Sequence, residues 1–157
     1  MSGQEYKTNA FLRERLEELG IRILESGLKT GLIAEIGSDQ PVVALRADID
    51  ALPILEQTNL PYQSQHPGVM HACGHDFHQT SLLGAAALLK EKEDQLEGTI
   101  RLIFQPAEEI SEGASDVLAT GLLEDVQGII GFHNMPQLKA GQLALNAGAM
   151  MAGVEKF

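Results

Sequence analysis

The residues best suited to chemistry are concentrated in one short segment, Gly68–His78, which reads Gly-Val-Met-His-Ala-Cys-Gly-His-Asp-Phe-His. It holds three of the five histidines and the only cysteine of the chain. Two later segments carry related side chains: Gln105–Glu109 contains two adjacent carboxylates, and Gly131–Asn134 contains a histidine. Thiolates, imidazoles and carboxylates together form the ligand set of zinc and related transition metals. These three segments therefore predict a metal site.

Cys73 and His75 are separated by one residue, Gly74. A Cys-x-His spacing in a loop lets both side chains point at one ion, and the glycine allows the backbone to bend. A metal would hold the cysteine as its thiolate. Other potential ligands surround the pair: His71, Asp76 and His78. Two alternatives stay open, a buried apolar cysteine beside surface histidines and a Cys–His nucleophile pair, although the latter leaves the glutamates without a role.

Glu108 and Glu109 follow an apolar segment and Pro106. Adjacent side chains of an extended segment point in opposite directions, so one carboxylate could bind the metal while the other faces the substrate. Water bound to a metal has a lowered pKa, and a neighbouring carboxylate can act as general base when that water attacks an amide carbonyl. The alternative is that both carboxylates only begin a helix, where they favour its macrodipole.

The rest of the sequence predicts strands alternating with helices, and so an α/β fold with helices on both faces of a sheet. Periodicity and breaks predict helices at Asn9–Leu19, Thr80–Leu89 and Gly113–Thr120, strands at Ile21–Leu24, Leu32–Ile36, Val42–Leu45, Thr99–Phe104, Val126–Phe132 and Gly141–Leu145, and a surface loop at Leu55–Pro67. The first helix has an apolar stripe of Phe11, Leu12, Leu16 and Leu19. The continuous apolar run Val42–Leu45 is predicted to be a strand buried on both faces, and Val126–Phe132 is predicted to be a further buried strand.

Polar residues follow three of these strands: Asp48 and Asp50, Glu108 and Glu109, and His133. Strand ends in an open α/β sheet can meet at one edge, where such folds place their sites. We expect the loop Cys73–His78 to lie between them, so that six candidate ligands come together.

Length, charge and cysteine content limit the class of protein and its partners. A length of 157 residues suits one compact domain. The net charge of −11 argues against nucleic acid and anionic membranes, and indicates either solubility or a field that gathers divalent cations. One cysteine cannot form an internal disulfide, and the polar start Met1–Lys7 does not resemble a signal peptide. The predicted location is therefore the cytoplasm.

At these motifs the sequence resembles the amidohydrolase branch of the aminoacylase/carboxypeptidase-like two-metal peptidases. This branch includes hippurate hydrolases, N-acyl-amino-acid amidohydrolases and auxin–amino-acid conjugate hydrolases. The matching segments are Leu45–Ile54, Gly68–Asp76, Phe104–Glu109 and Gly131–His133, in the family's order and spacing. The resemblance runs from about Glu5 to Phe157 and implies a three-layer αβα sandwich around a mostly parallel mixed sheet.

The resemblance also implies roles for single residues. Those implied as metal ligands are Cys73, His75, Glu109 and His133, and Glu108 is implied as the general base. Residues expected to support them are Asp48, Arg46, Asp76 and His71, with Arg46 at a position where related peptidases carry a histidine ligand. The implied cofactor is a pair of divalent ions drawn from Mn, Zn, Co and Ni. The implied reaction is hydrolysis of N-acyl amino acids or short peptides.

Members of this family are commonly more than twice as long as this chain. They begin with a helix carrying a His-Pro pair, contain an inserted lid and dimerisation domain, and end with a second catalytic half that supplies a final histidine. The resemblance therefore implies that residues 1–157 are the first part of the catalytic domain, with Met150–Phe157 approaching the insert. We expect an incomplete sheet with exposed apolar edges and hence a homo-oligomer or a need for the missing half. The alternative function is a non-catalytic metal-binding fragment.

Overall fold

A computed structural model of the chain describes residues 1–150, which form a five-stranded mixed sheet with helices. The elements are α1 (Tyr6–Glu18), β1 (Arg22–Ile23), β2 (Leu32–Ile36), β3 (Val42–Asp48), α2 (His75–Lys90), a short 3-10 helix (Glu93–Gln95), β4 (Thr99–Gln105), α3 (Gly113–Ala119) and β5 (Val126–Gly131). The strand order is β1-β2-β4-β3-β5. Strand β3 is parallel to β4 and β5, whereas β2 is antiparallel to β1 and β4.

The helices cover both faces of the sheet, which confirms the predicted α/β architecture. On one face α1 and α2 contribute Leu12, Leu16, Leu82 and Ala86 to a core with Leu102 and Phe104. On the other face Val117 of α3 packs with Ile33, Ala44 and Ile103. No helix within residues 1–150 is long and apolar enough to cross a membrane.

Strand β5 differs most from the sequence prediction, because it is exposed where a buried strand was expected. Ile129 is 56% exposed and Ile130 is 66% exposed. The strand pairs with β3 at one edge of the sheet, and its first residue, Val126, packs against the core on the α3 side, whereas the residues after it are exposed. The apolar residues of this segment therefore failed to predict its burial. On β3 the predicted burial of Val42–Leu45 is wrong for Val43, which is 36% exposed, and Leu45 is only half-buried.

Three further predictions need correction. The stripe of α1 buries Leu12 and Leu16, but Phe11 is 53% exposed and lies against the Arg15 guanidinium instead. The segment predicted as a final strand, Gly141–Leu145, is exposed and belongs to no strand. Helix α2 begins at His75, five residues before the predicted Thr80. The segment Met150–Phe157 was predicted to approach an inserted domain. Its residues 151–157 lie outside the described part of the chain.

Gly74 determines where α2 begins. Its φ of +83° lies in the left-handed region, which residues with a Cβ rarely adopt. A Cβ at this position would lie 2.3 Å from Oδ1 of Asn134, so a side chain is also excluded by contact. The glycine therefore allows the chain to turn into α2 with Asn134 packed directly over the turn.

We expect Gly74→Ala to lower the free energy of unfolding by about 1–2 kcal/mol, because alanine is strained in the left-handed conformation. The matched control is Gly84→Ala in the same helix, where nothing lies within 4 Å of the added methyl group. That change should raise the free energy of unfolding by about 0.5–1 kcal/mol, since glycine is unfavourable inside a helix. Urea unfolding measures both values. Equal effects at the two positions would contradict the role of Gly74.

Candidate metal centre

The carboxyl ends of β3, β4 and β5 meet at one edge of the sheet because these three strands are parallel. Asp48 ends β3, Glu108 and Glu109 follow β4, and His133 follows β5. Helix α2 begins at this same edge and places His75 in its first turn. Four of the six residues from Cys73 to His78 are thus helical, whereas the sequence suggested a loop.

His75 lies at the centre of this group and is 1% exposed. Its Nε2 atom is 3.6 Å from Oδ1 of Asp48, 3.6 Å from Oε1 of Glu109 and 3.9 Å from Oε2 of Glu108. These separations are longer than hydrogen bonds. Two ligands that are each about 2.0–2.2 Å from one ion lie about 3–4 Å apart. The separation of Nε2 of His75 from Oε1 of Glu109 therefore suits two ligands that share an ion.

Glu108 and Glu109 lie in a turn, which corrects the prediction of an extended segment. The N–H of Ser111 donates to the carbonyl oxygen of Glu108 over 2.8 Å and closes this turn. Both carboxylates consequently reach the same side of the site, within 4 Å of His75. Burial raises the pKa of Glu108, and the charges of Glu109 and Asp48 raise it further. A carboxylate with a raised pKa is a stronger base.

Cys73 and His133 approach each other from two different elements, with 3.4 Å between Sγ and Nε2. The thiol also belongs with His75 and Glu109 to a group whose ligand atoms all lie within 4.8 Å of one another. Burial raises the pKa of Cys73 to about 11, with contributions from the Glu109 and Glu108 carboxylates. A thiol with this pKa is protonated at neutral pH, which disfavours the Cys–His nucleophile interpretation. A bound cation would favour the thiolate.

The residues present fit a divalent transition metal. Oε1 of Glu109 is buried and has no hydrogen-bond partner within the described residues. An unpaired buried carboxylate oxygen is costly, and a cation would compensate it. Neighbouring thiol and imidazole groups make the donor set typical of zinc and similar ions. The burial, the unpaired oxygen and the donor types all agree with this assignment.

Asp50 orients His75, a role that the sequence did not identify. Oδ1 of Asp50 accepts a hydrogen bond from Nδ1 of His75 over 3.1 Å, which leaves Nε2 for the site. Oδ2 accepts from the hydroxyl of Ser2 at 2.7 Å and from the backbone N–H of Glu109 at 3.1 Å. Burial alone would raise the pKa of Asp50, but these three hydrogen bonds hold it well below its usual value. The carboxylate is therefore ionised at neutral pH.

Asp48 supports the site through His78 and Arg46. Its Oδ1 atom accepts from Nδ1 of His78 over 2.6 Å, and its Oδ2 atom accepts from a guanidinium nitrogen of Arg46 over 2.6 Å. Arg46 also donates to Oε1 of Gln105 over 2.9 Å. The arginine thus lies beside a supporting carboxylate, where it neutralises part of the negative charge.

Asn134 joins the two sides of the site. Its backbone N–H donates to Nε2 of His78 over 3.0 Å, and its carbonyl oxygen accepts from Nδ1 of His133 over 2.8 Å. The second contact leaves Nε2 of His133 directed at Cys73. The sequence indicated His78 only as one of the potential ligands around Cys73 and His75, and Asn134 had no signal beyond its position after His133.

Asp76 and His71 are the predicted supporting residues that lie furthest from this network. Asp76 is exposed, and its carboxylate accepts from the backbone N–H of Phe77 over 2.9 Å. Burial lowers the pKa of His71, whose Nδ1 atom has no hydrogen-bond partner in the described part of the chain. The charge of His75 also lowers the pKa of His71, so this ring lies near the site. Neither His71 nor Asp76 belongs to the groups of closely spaced ligand atoms within residues 1–150.

The chain is similar to known proteins over nearly its whole length. The chain is 53% identical over 159 residues to the N-acetyl-L-cysteine deacetylase of Bacillus subtilis (strain 168), covering 100% of this chain and 38% of that protein. It is 45% identical over 155 residues to an IAA-amino acid hydrolase of Arabidopsis thaliana, covering 98% of this chain and 36% of that protein.

Among solved structures, a Bacillus subtilis protein described as a dinuclear metal-binding peptidase from the M20 family superposes with a TM-score of 0.86. The two are 57% identical, and the match covers 88% of this chain and 39% of that one. The chain thus spans well under half the length of these relatives. The family model described as peptidase family M20/M25/M40 matches residues 44–155, and the chain belongs to this family.

Proposed function

We propose that this chain provides part of the catalytic site of a metal-dependent amidohydrolase that cleaves the amide bond of N-acyl amino acids or short peptides. The observation that carries the proposal is the buried, unpaired Oε1 of Glu109 beside Nε2 of His75. The proposed ligands are Cys73, His75, Glu109 and His133. When bound, a divalent transition metal polarises the amide carbonyl and lowers the pKa of the attacking water.

Glu108 is the proposed general base. Its side chain is 40% exposed, compared with 20% for Glu109, so it is the carboxylate more open to substrate and water. It would take a proton from the attacking water and pass it to the nitrogen of the leaving amine as the amide bond breaks. The more buried Glu109 would remain a ligand throughout.

The proposed substrate class rests on the relatives. One is named a deacetylase of N-acetyl-L-cysteine and another a hydrolase of IAA-amino acids. Both names describe an acyl group joined to an amino acid. We propose the same bond type here, with Mn, Zn, Co or Ni as the ion, a paired site, and a homo-oligomer or a further catalytic segment that completes it.

A non-catalytic metal-binding domain is the second candidate. The chain spans only 36–39% of the compared relatives, and β5 is exposed at the sheet edge. An ion could bind to the four proposed ligands while substrate binding depends on groups outside this chain. Metal binding and turnover are therefore tested separately.

We expect Co²⁺ to give a thiolate-to-metal charge-transfer band when added to the protein, because a cobalt–thiolate bond absorbs in the near ultraviolet. Cys73 is the only cysteine, so the band reports on that side chain alone. Cys73→Ser should abolish the band, and His133→Ala should weaken cobalt affinity by at least about tenfold. His66→Ala is the control, since His66 is exposed and outside the site. A wild-type protein without the band would contradict the ligand assignment.

We expect Glu108→Gln to lower hydrolysis of N-acetyl amino acids by about 10²- to 10⁴-fold in the presence of Mn²⁺ or Zn²⁺, because the amide cannot accept the proton. Cobalt binding should persist. Glu112→Gln, an exposed carboxylate four residues away, is the matched control and should leave the rate unchanged. Metal binding without any hydrolysis would favour the second candidate. Activity that survives chelators and is lost on alkylation of Cys73 would favour a thiol mechanism.

A further inference from the structure

Glu5 is a buried carboxylate outside the ligand group. It precedes α1, is 3% exposed and lies 102 positions before its partner Ala107 in the sequence. Oε1 accepts from the backbone N–H groups of Ala107 at 3.0 Å and Gly3 at 2.8 Å. Oε2 accepts from the hydroxyl of Thr30 at 2.7 Å. All three donors are uncharged. They lie in three different parts of the chain, at Gly3, Thr30 and Ala107.

Ala107 is the residue through which Glu5 reaches the site. It is 4% exposed and has a φ of +49°, a left-handed conformation that costs an alanine about 1–2 kcal/mol. Such a conformation persists only where the surroundings determine it. The hydrogen bond from the Ala107 N–H to Glu5 fixes this peptide, and Glu108 and Glu109 follow directly. The direction in which both carboxylates leave β4 therefore depends on this peptide.

A second contact ties the same N-terminal segment to the site. The hydroxyl of Ser2 donates to Oδ2 of Asp50, and the N–H of Glu109 donates to that same oxygen. Oδ1 of Asp50 holds Nδ1 of His75. Residues 2–5 thus contact both the turn that carries the glutamates and the carboxylate that orients the histidine.

We propose that Glu5 is a positioning residue, which sets Glu108 and Glu109 against His75 by holding the Ala107 peptide. Ser2 assists through Asp50. The proposal rests on the proposed function, because it assigns Glu5 a purpose only if the two glutamates serve the metal site. By this proposal residues 2–5 contribute to the site through Asp50 and Ala107, without contacting a proposed ligand side chain themselves.

Three variants test this proposal. Glu5→Ala removes the acceptor of the Ala107 N–H. Glu5→Gln keeps one oxygen for the two backbone N–H groups, and its amide can donate to the Thr30 hydroxyl. Glu35→Ala is the control: Glu35 is also buried and accepts from Arg101 at 2.9 Å, but it lies in β2 away from the site.

Two measurements are made on each variant. Amide hydrogen exchange at Ala107 should accelerate by about tenfold or more in Glu5→Ala, because this buried donor loses its acceptor. Cobalt affinity, read from the thiolate band, should fall by about 10- to 100-fold. Glu5→Gln should restore both values, and Glu35→Ala should change neither.

Wild-type exchange and cobalt affinity in Glu5→Ala would overturn the proposal, as would an equal loss in Glu35→Ala or a failure of Glu5→Gln to restore them. If Glu5→Ala does not fold, Glu5→Asp decides, since it keeps the charge but withdraws the oxygens from Ala107. Wild-type behaviour of that variant would also overturn the proposal. A wild-type chain that binds no cobalt would refute the proposed metal site, whereas the exchange data would still decide the role of Glu5.

Discussion

Negative charge crowded around one buried imidazole is the constraint on which this structure depends. Nε2 of His75 lies within 4 Å of three carboxylates, and Nδ1 contacts a fourth. Two unit charges 4 Å apart repel by about 4 kcal/mol at an effective dielectric constant of 20. Asp50 is compensated by three hydrogen bonds, and Asp48 by Arg46 and His78. The two glutamates remain the least compensated, which is where a cation would contribute most.

Three parallel strands, the start of α2 and the N-terminal segment together bring these residues to one place in the fold. Parallel strands bring three chain segments to one edge, while Gly74 turns the chain so that α2 delivers His75 and His78 to the same place. The N-terminal segment contacts Asp50 through Ser2 and the Ala107 peptide through Glu5. Ligand positions therefore depend on backbone conformations at Gly74 and Ala107 as much as on the side chains themselves.

Much of this was predictable from sequence because the relevant signals are local. Apolar runs located β2 and β4, and polar residues after strands marked the edge where they converge. Asp50 and Glu5 were not recognised in their roles, since each acts through contacts with residues distant in the chain. The exposure of β5 was missed for a related reason. An apolar sequence reports the capacity to be buried, whereas actual burial depends on which element covers the strand.

The candidate ligands come from segments up to 60 residues apart, as the contact between Cys73 and His133 illustrates. An unfolded chain presents at most neighbouring pairs of them, such as Cys73 and His75. Any ion that prefers the assembled set therefore stabilises the folded state through thermodynamic linkage, by about 2.7 kcal/mol when its free concentration is 100 times its dissociation constant. For a chain that binds such an ion, stability and bound metal are coupled, so that its melting temperature would have meaning only at a stated ion concentration.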